Sequence, residues 1–225
     1  MADASRITVL AAVDHPFAPQ PGCPAHSLEE VLGRSAWLRL PEAVRARFAA
    51  AARAVDYVGE FEVVTASVLG RILAWICQAF GTPVVARVGF NVPAIVHVGP
   101  SQRGVEWCRE YRWPGHSPCH VRSTKVIDAN GFLVEELPAH LRMSLDVYEG
   151  GGSLHFVSRA YYFEIPIPGM RRRMRLPLPR WLSPGTTHVE HIDQAEGWFR
   201  FTMTVIHPLF GEVFYQTGRF HAAGG

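Results

Sequence analysis

Residues 105–120 read VEWCREYRWPGHSPCH and place two cysteines, Cys108 and Cys119, close to two histidines, His116 and His120. Residue types alone would allow a metal site. The spacing argues against one: Cys108-x7-His116-x2-Cys119-His120 has neither the C-x2-C knuckle nor the H-x3-H helical pair of zinc sites. On an extended chain Trp107, Arg109 and Tyr111 share one face, whereas Cys108 lies on the other and Cys119 and His120 point apart. The stretch therefore reads as one arm of a β-hairpin, turning at WPGHSP and returning through HVRSTKVI. We assign no metal.

The Trp107, Arg109, Tyr111 face is the more apolar and is expected to point inward. A buried arginine needs a carboxylate or an anionic ligand. Glu135 and Glu136 in FLVEEL are the nearest acidic candidates, so Arg109 either holds two strands in register through a carboxylate or clamps a ligand carboxylate. Glu135, His120, His207 and Tyr215 are the candidate proton-transfer groups beside Arg109, with His207 at the end of the strand FRFTMTVI. Trp107, Tyr111, Arg122 and Trp75 are the candidate substrate-binding residues. THVEHID carries His188-x-Glu190 and His191-x-Asp193, but no third ligand stands at a fixed place for a metal.

Those residues must be positioned by elements that can be read along the chain. Residues 1–26 are an N-terminal segment and Pro-rich connector, and residues 27–225 form one α+β domain. Ser27-Leu-Glu-Glu30 has capping-box spacing and opens a short helix to about Gly33. Pro41 opens PEAVRARFAAAARAV, with Val44 and Phe48 four apart. FEVVTASVLGRILAWICQAFG reads as the longest apolar helix, with Val68, Ile72, Trp75 and Ala79 on one face, Cys77 as a small buried hydrophobe, and a deeply buried position. Helices thus occupy about 27–81.

From about 84 to 222 the chain reads as a β-meander, with VVARVGFNV and AIVHVG as separate strands either side of Pro93, ANG and EGGGS as turns and no helices between strands. Residues 168–185, PGMRRRMRLPLPRWLSPG, lack alternation and read as a loop or edge-covering flap. Eight to ten strands must curl. The expected architecture is a long curled antiparallel sheet, a half-open barrel, wrapped round the apolar helix and enclosing a ligand pocket.

Composition excludes several classes. Hydrophobic residues make up 48% and charged residues 19%, and the formal charge is +2, too small to argue for nucleic acid. The apolar run near the N-terminus is too short to span a bilayer and poor as a signal peptide, so a cytoplasmic protein without membrane contact is expected. Four scattered cysteines suggest no disulfide scaffold. Lys125 is the only lysine, so the remaining basic residues are arginines, a bias that codon usage in a GC-rich genome explains. The chain has no G-x-G-x-x-G after a strand, no P-loop, no G-x-S-x-G elbow and no H-E-x-x-H.

The succession LGRSAWLRLPEAVRARF, GVEWCREY, GFLVEEL, LPLPRWLSP and FRFTMTVIHPLFGEVFYQTG resembles a bacterial family catalogued as a domain of unknown function, number 4166. The resemblance starts at Leu32 and covers about four-fifths of the chain. It implies that Trp107, Arg109 and Tyr111 form the family's W-x-R-x-aromatic motif and that Glu135 or Glu136 occupies its acidic position. That family often stands C-terminal to saccharopine-dehydrogenase-like reductases, and this chain carries no such reductase.

The function expected is that of an enzyme without a cofactor, acting on a small, largely apolar metabolite by isomerisation, cyclisation or dehydration, in bacterial specialised metabolism. The alternatives are a non-catalytic carrier using the same pocket and an accessory partner of a separate reductase. A homodimer is equally compatible with the residues.

Overall fold

The computed structural model describes residues 27–49, 54–79, 85–169 and 173–224. The N-terminal segment 1–26 lies outside the described residues, as does the side chain of Cys77. Helix α1 (Leu28–Leu32) starts at the expected capping box: the Glu30 amide donates to Ser27 Oγ at 3.2 Å and the Ser27 amide to Glu30 Oε2 at 3.3 Å. Helices α2 (Arg34–Arg39) and α3 (Glu42–Phe48) follow. Trp37, Leu40 and Val44 bury against Leu137, Leu141, Leu145, Leu154 and Phe156.

Among the described residues eleven strands come next: β1 (Val55–Ala66), β2 (Gly89–Pro100), β3 (Val105–Tyr111), β4 (Cys119–Ile127), β5 (Leu133–Glu136), β6 (Leu141–Gly150), β7 (Ser153–Pro166), β8 (Arg173–Leu178), β9 (Thr186–Asp193), β10 (Trp198–His207) and β11 (Gly211–Ala222). All pairings are antiparallel, in the order β6-β5-β4-β3-β2-β1-β11-β10-β9-β7-β8. β6 also pairs with β7 along its whole length, from Leu141↔Phe163 to Gly150↔Ser153. That ladder closes ten strands into a barrel and leaves β8 outside, on the edge of β7. The barrel is closed, not half-open. The β6–β7 turn is the expected EGGGS segment, where Gly151 and Gly152 take φ of 60° and 80°, a conformation that glycine adopts without steric cost.

Four expectations are corrected here. First, residues 61–66 are not helical: they complete β1, whose Val63, Val64 and Thr65 are β-branched and suit a pleated surface. Second, the helix that does form, α4 (Val68–Ala79), is not wrapped by the sheet. Val68, Ile72 and Trp75 are 77, 50 and 71% exposed, and it is Gly70 and Ala74 that are buried. A Cβ on Gly70 would stand 1.8 Å from the Val213 carbonyl oxygen, so the helix meets β11 on its smallest residues. Third, part of 168–185 is a strand: Arg173–Leu178 pairs with Tyr161–Pro166. Its side chains are exposed or half-buried throughout, so it shows no alternation, and Pro177 fits because β8 is an edge. Fourth, the expected separate strands either side of Pro93 are one strand, β2.

Among the described residues, no helix is long and apolar enough to cross a membrane.

Candidate ligand site in the barrel lumen

Alternation along each strand sends every second side chain into the lumen. On β3 these are Trp107, Arg109 and Tyr111, the face expected to be inward, with relative exposures of 7, 7 and 0%. The β3–β4 register sets Ser123 opposite Trp107 and Lys125 opposite Val105, and the β4–β5 register sets Glu135 opposite Lys125. Across the barrel, β9 supplies Thr187, Val189 and His191, and β10 supplies Phe199, Phe201 and Met203. Apart from Tyr111 and Val105, these residues border a cavity of about 50 Å³, enough for a few waters. α3 reaches the same space: the Phe48 ring lies 5.5 Å from Trp107 and 4.8 Å from His191, centroid to centroid.

The walls are aromatic and aliphatic, broken by Arg109, Lys125, Glu135 and His191 and by the hydroxyls of Ser123, Tyr161 and Thr187. Lys125 Nζ is 3.2 Å from Glu135 Oε1 and stands 5.5 and 5.4 Å from the Trp107 and Phe156 ring centroids. Burial, only partly offset by Glu135, holds the Lys125 ammonium below the ordinary lysine range. Burial alone would raise the Glu135 carboxyl, but Lys125 and Arg109 together hold it below the usual carboxylate range.

Arg109 has no such partner. Among the described residues no ion pair reaches it, its Nε has no hydrogen-bond partner, and its Nη1 has only the Met203 sulfur at 4.0 Å. His191 is 2% exposed and sits among Phe48, Trp107, Phe199 and Phe201, with Nδ1 unpaired. Burial, then the positive Arg47, Lys125 and Arg109, push its pKa well below 6.5, so it is neutral near pH 7.

Arg109 and Glu135, expected in the site, therefore line the cavity together with Trp107. Glu135 ion-pairs with Lys125 and not with Arg109, and Glu136 lies on the outer face, paired with Arg103 and Arg142. Tyr111 is inward but packed away from the cavity: its ring stacks between Phe61 and Trp113, and its hydroxyl donates to Gln216 Oε1 at 2.9 Å. Burial raises its pKa.

The other candidates do not reach the lumen. His120 and Arg122 alternate with Val121 and Ser123 and face outward; His120 Nδ1 stands 4.0 Å from Cys108 Sγ and 3.9 Å from Glu110 Oε2. Tyr215 alternates with the inward Phe214 and Gln216, so it faces out. His207 is buried but fixed in a turn, with Nε2 against the Trp181 carbonyl at 3.2 Å and Nδ1 accepting from the Leu209 amide at 3.2 Å. Trp75 is on exposed α4. His188 and Glu190 face outward towards His155, whereas His191 and Asp193 have the opposite parity.

Lys125, Ser123 and His191 were not among the expected site residues. The signal for the first two was present: once Trp107 and Arg109 are inward, a β3–β4 hairpin that pairs Tyr111 with Cys119 makes Ser123 and Lys125 inward as well.

The fold and site define a closed ten-stranded antiparallel barrel with an aromatic lumen that carries a partly unpaired cationic cluster. Within that class, the model of the family described as Domain of unknown function (DUF4166) matches residues 40–220, and the chain belongs to that family. No curated protein and no solved structure matches it.

Proposed function

We propose that the lumen binds a small, largely apolar molecule bearing one anionic group, and that the protein rearranges this molecule by proton transfer without a cofactor, by isomerisation, cyclisation or dehydration. The observation that carries this reading is Arg109, a residue 7% exposed at a cavity wall whose guanidinium Nε is unbonded. A buried cation without a carboxylate costs several kcal/mol, and a ligand carboxylate would supply the missing partner in a bidentate geometry. Proton transfer is supported by His191, neutral, buried and with a free ring nitrogen at the same cavity.

Native mass spectrometry of freshly purified protein, compared with its denatured mass, tests the proposal. The expected result is a small organic acid that is retained natively and released on denaturation. A retained molecule with no anionic group would refute the role given to Arg109. If a retained acid emerges chemically unchanged from prolonged incubation at every pH, the carrier reading replaces the enzyme.

A further inference from the structure

Where this chain needs a cation only for pairing, it uses arginine: Arg39 pairs with Glu149, Arg142 with Glu136 and Glu164, Arg175 with Glu164, and Arg200 with Glu62. Of its 22 Lys and Arg residues one is lysine, which leaves 21 arginines. That single lysine is placed inside the barrel, at the wall of the cavity, with 16% of its side chain accessible. Arginine makes the better buried ion pair. Lysine alone of the two can become a neutral amine at ordinary pH.

We propose that the Lys125 amine is a nucleophile that condenses with the carbonyl group of a small aldehyde or ketone held in the lumen, giving an iminium ion with Glu135 as its counter-ion. This inference rests on the reading of the lumen as a ligand site and names the substrate class, an apolar carbonyl compound whose anionic end faces Arg109.

The step balances within the residues present. The Lys125 ammonium passes one proton to the Glu135 carboxylate 3.2 Å away. The freed lone pair attacks the carbonyl carbon, a C–N bond forms, and the carbonyl π electrons move to oxygen, which takes up a proton released from nitrogen. Glu135 then returns its proton to the carbinolamine hydroxyl, the C–O bond breaks, and water leaves. Ammonium plus carbonyl becomes iminium plus water, with charge conserved and no oxidant or reductant consumed.

The surroundings favour this outcome. The Trp107 and Phe156 rings flank the nitrogen and limit the water that would reverse the condensation. Desolvation, which lowers the Lys125 pKa, enlarges the neutral, reactive fraction. The iminium then acidifies the neighbouring C–H bonds, and neutral His191 at the same cavity is placed to take a proton from them.

The test is reductive trapping on the full chain. Two probes, 4-oxopentanoate and hexanal, are each incubated with the protein and sodium cyanoborohydride, and the adduct is located by intact mass and peptide mapping. Since Lys125 is the only lysine, the competing amine is the N-terminus. The expected result is saturable labelling at Lys125, at least tenfold faster than at the N-terminal amine and suppressed by pentanoate, a carboxylate without the carbonyl. Labelling confined to the N-terminus while pentanoate still raises the unfolding temperature would overturn the imine and leave the ligand site standing. Labelling at Lys125 that rises linearly with probe and ignores pentanoate would show mere chemical accessibility, which also overturns it. Absence of both labelling and stabilisation by pentanoate would remove the ligand site and the imine together.

Discussion

Replacing Arg109 by methionine should stabilise the empty barrel and abolish its response to an anionic ligand. Methionine keeps most of the apolar stem and fills much of the same volume. In the native protein the guanidinium has lost water without gaining a carboxylate. Its attraction to Glu135 and its repulsion from Lys125 have opposite signs, and at an effective dielectric of about 20 each amounts to a few kcal/mol at most. The two largely cancel, so the burial cost dominates. That cost is several kcal/mol for a dry ion, and it is reduced here by the cavity, which admits a few waters. Loss of the Phe201 ring contact at 5.8 Å subtracts about 0.5–1 kcal/mol. A net gain of about 1–3 kcal/mol remains, which at this chain length raises the unfolding temperature by about 2–12 °C. The assay is thermal unfolding of ligand-free protein followed by near-UV circular dichroism, with and without pentanoate. Wild type should start lower and rise with pentanoate; Arg109→Met should start higher and stay flat. If Arg109→Met instead melts several degrees below wild type with no ligand present, Arg109 is structural and the ligand argument fails.

Two further outcomes follow from the same geometry. His191 is held below its unfolded value of 6.5, so the unfolded chain binds the proton first as pH falls, and stability declines below about pH 6.5 by up to about 1.4 kcal/mol per pH unit; His191→Phe should remove that part of the slope in urea titrations between pH 4.5 and about 7, and unchanged slopes would contradict the assignment. Glu164 binds Arg142, Arg173 and Arg175 at 2.7, 3.6 and 3.0 Å, and the last two belong to β8. Glu164→Ala should therefore speed amide exchange across Arg173–Leu178 by at least tenfold and leave the β10–β11 ladder unaffected; retained protection of β8 would show that its backbone pairing suffices.

How much of this was legible in the sequence depended on the range of the signal. The capping box at Ser27, the turn at Gly151 and Gly152, and the inward face of β3 are set by neighbours a few residues apart, and all three could be read. Barrel closure was not, because it depends on β7 being long enough to pair with β6 on one edge and with β9 and then β8 on the other. The helical period at Val68, Ile72 and Trp75 is real, but periodicity reports a stripe and not its partner, and that stripe faces outward. His120, Arg122 and Tyr215 were grouped with Arg109 by residue type, although their parity along β4 and β11 sends them outside. Lys125 was read as compositional bias because it is single. Its place in the hairpin register is what makes it informative.

The electrostatics of the lumen connect the two proposals. Arg109 and Lys125 carry two positive charges, Glu135 carries one negative, and His191 is neutral, so 2 − 1 leaves the cluster with an excess charge of +1. A ligand carboxylate cancels that excess. Condensation at Lys125 exchanges one monocation for another and therefore leaves the balance untouched. Binding the acid and activating the carbonyl then draw on different charges: Arg109 for the first, the Lys125–Glu135 pair for the second. An apolar barrel wall gains nothing in stability from any of these three side chains when empty, because well-packed hydrophobic residues of similar volume do at least as well as a buried ion pair. Their arrangement around one cavity makes physical sense when a substrate completes it.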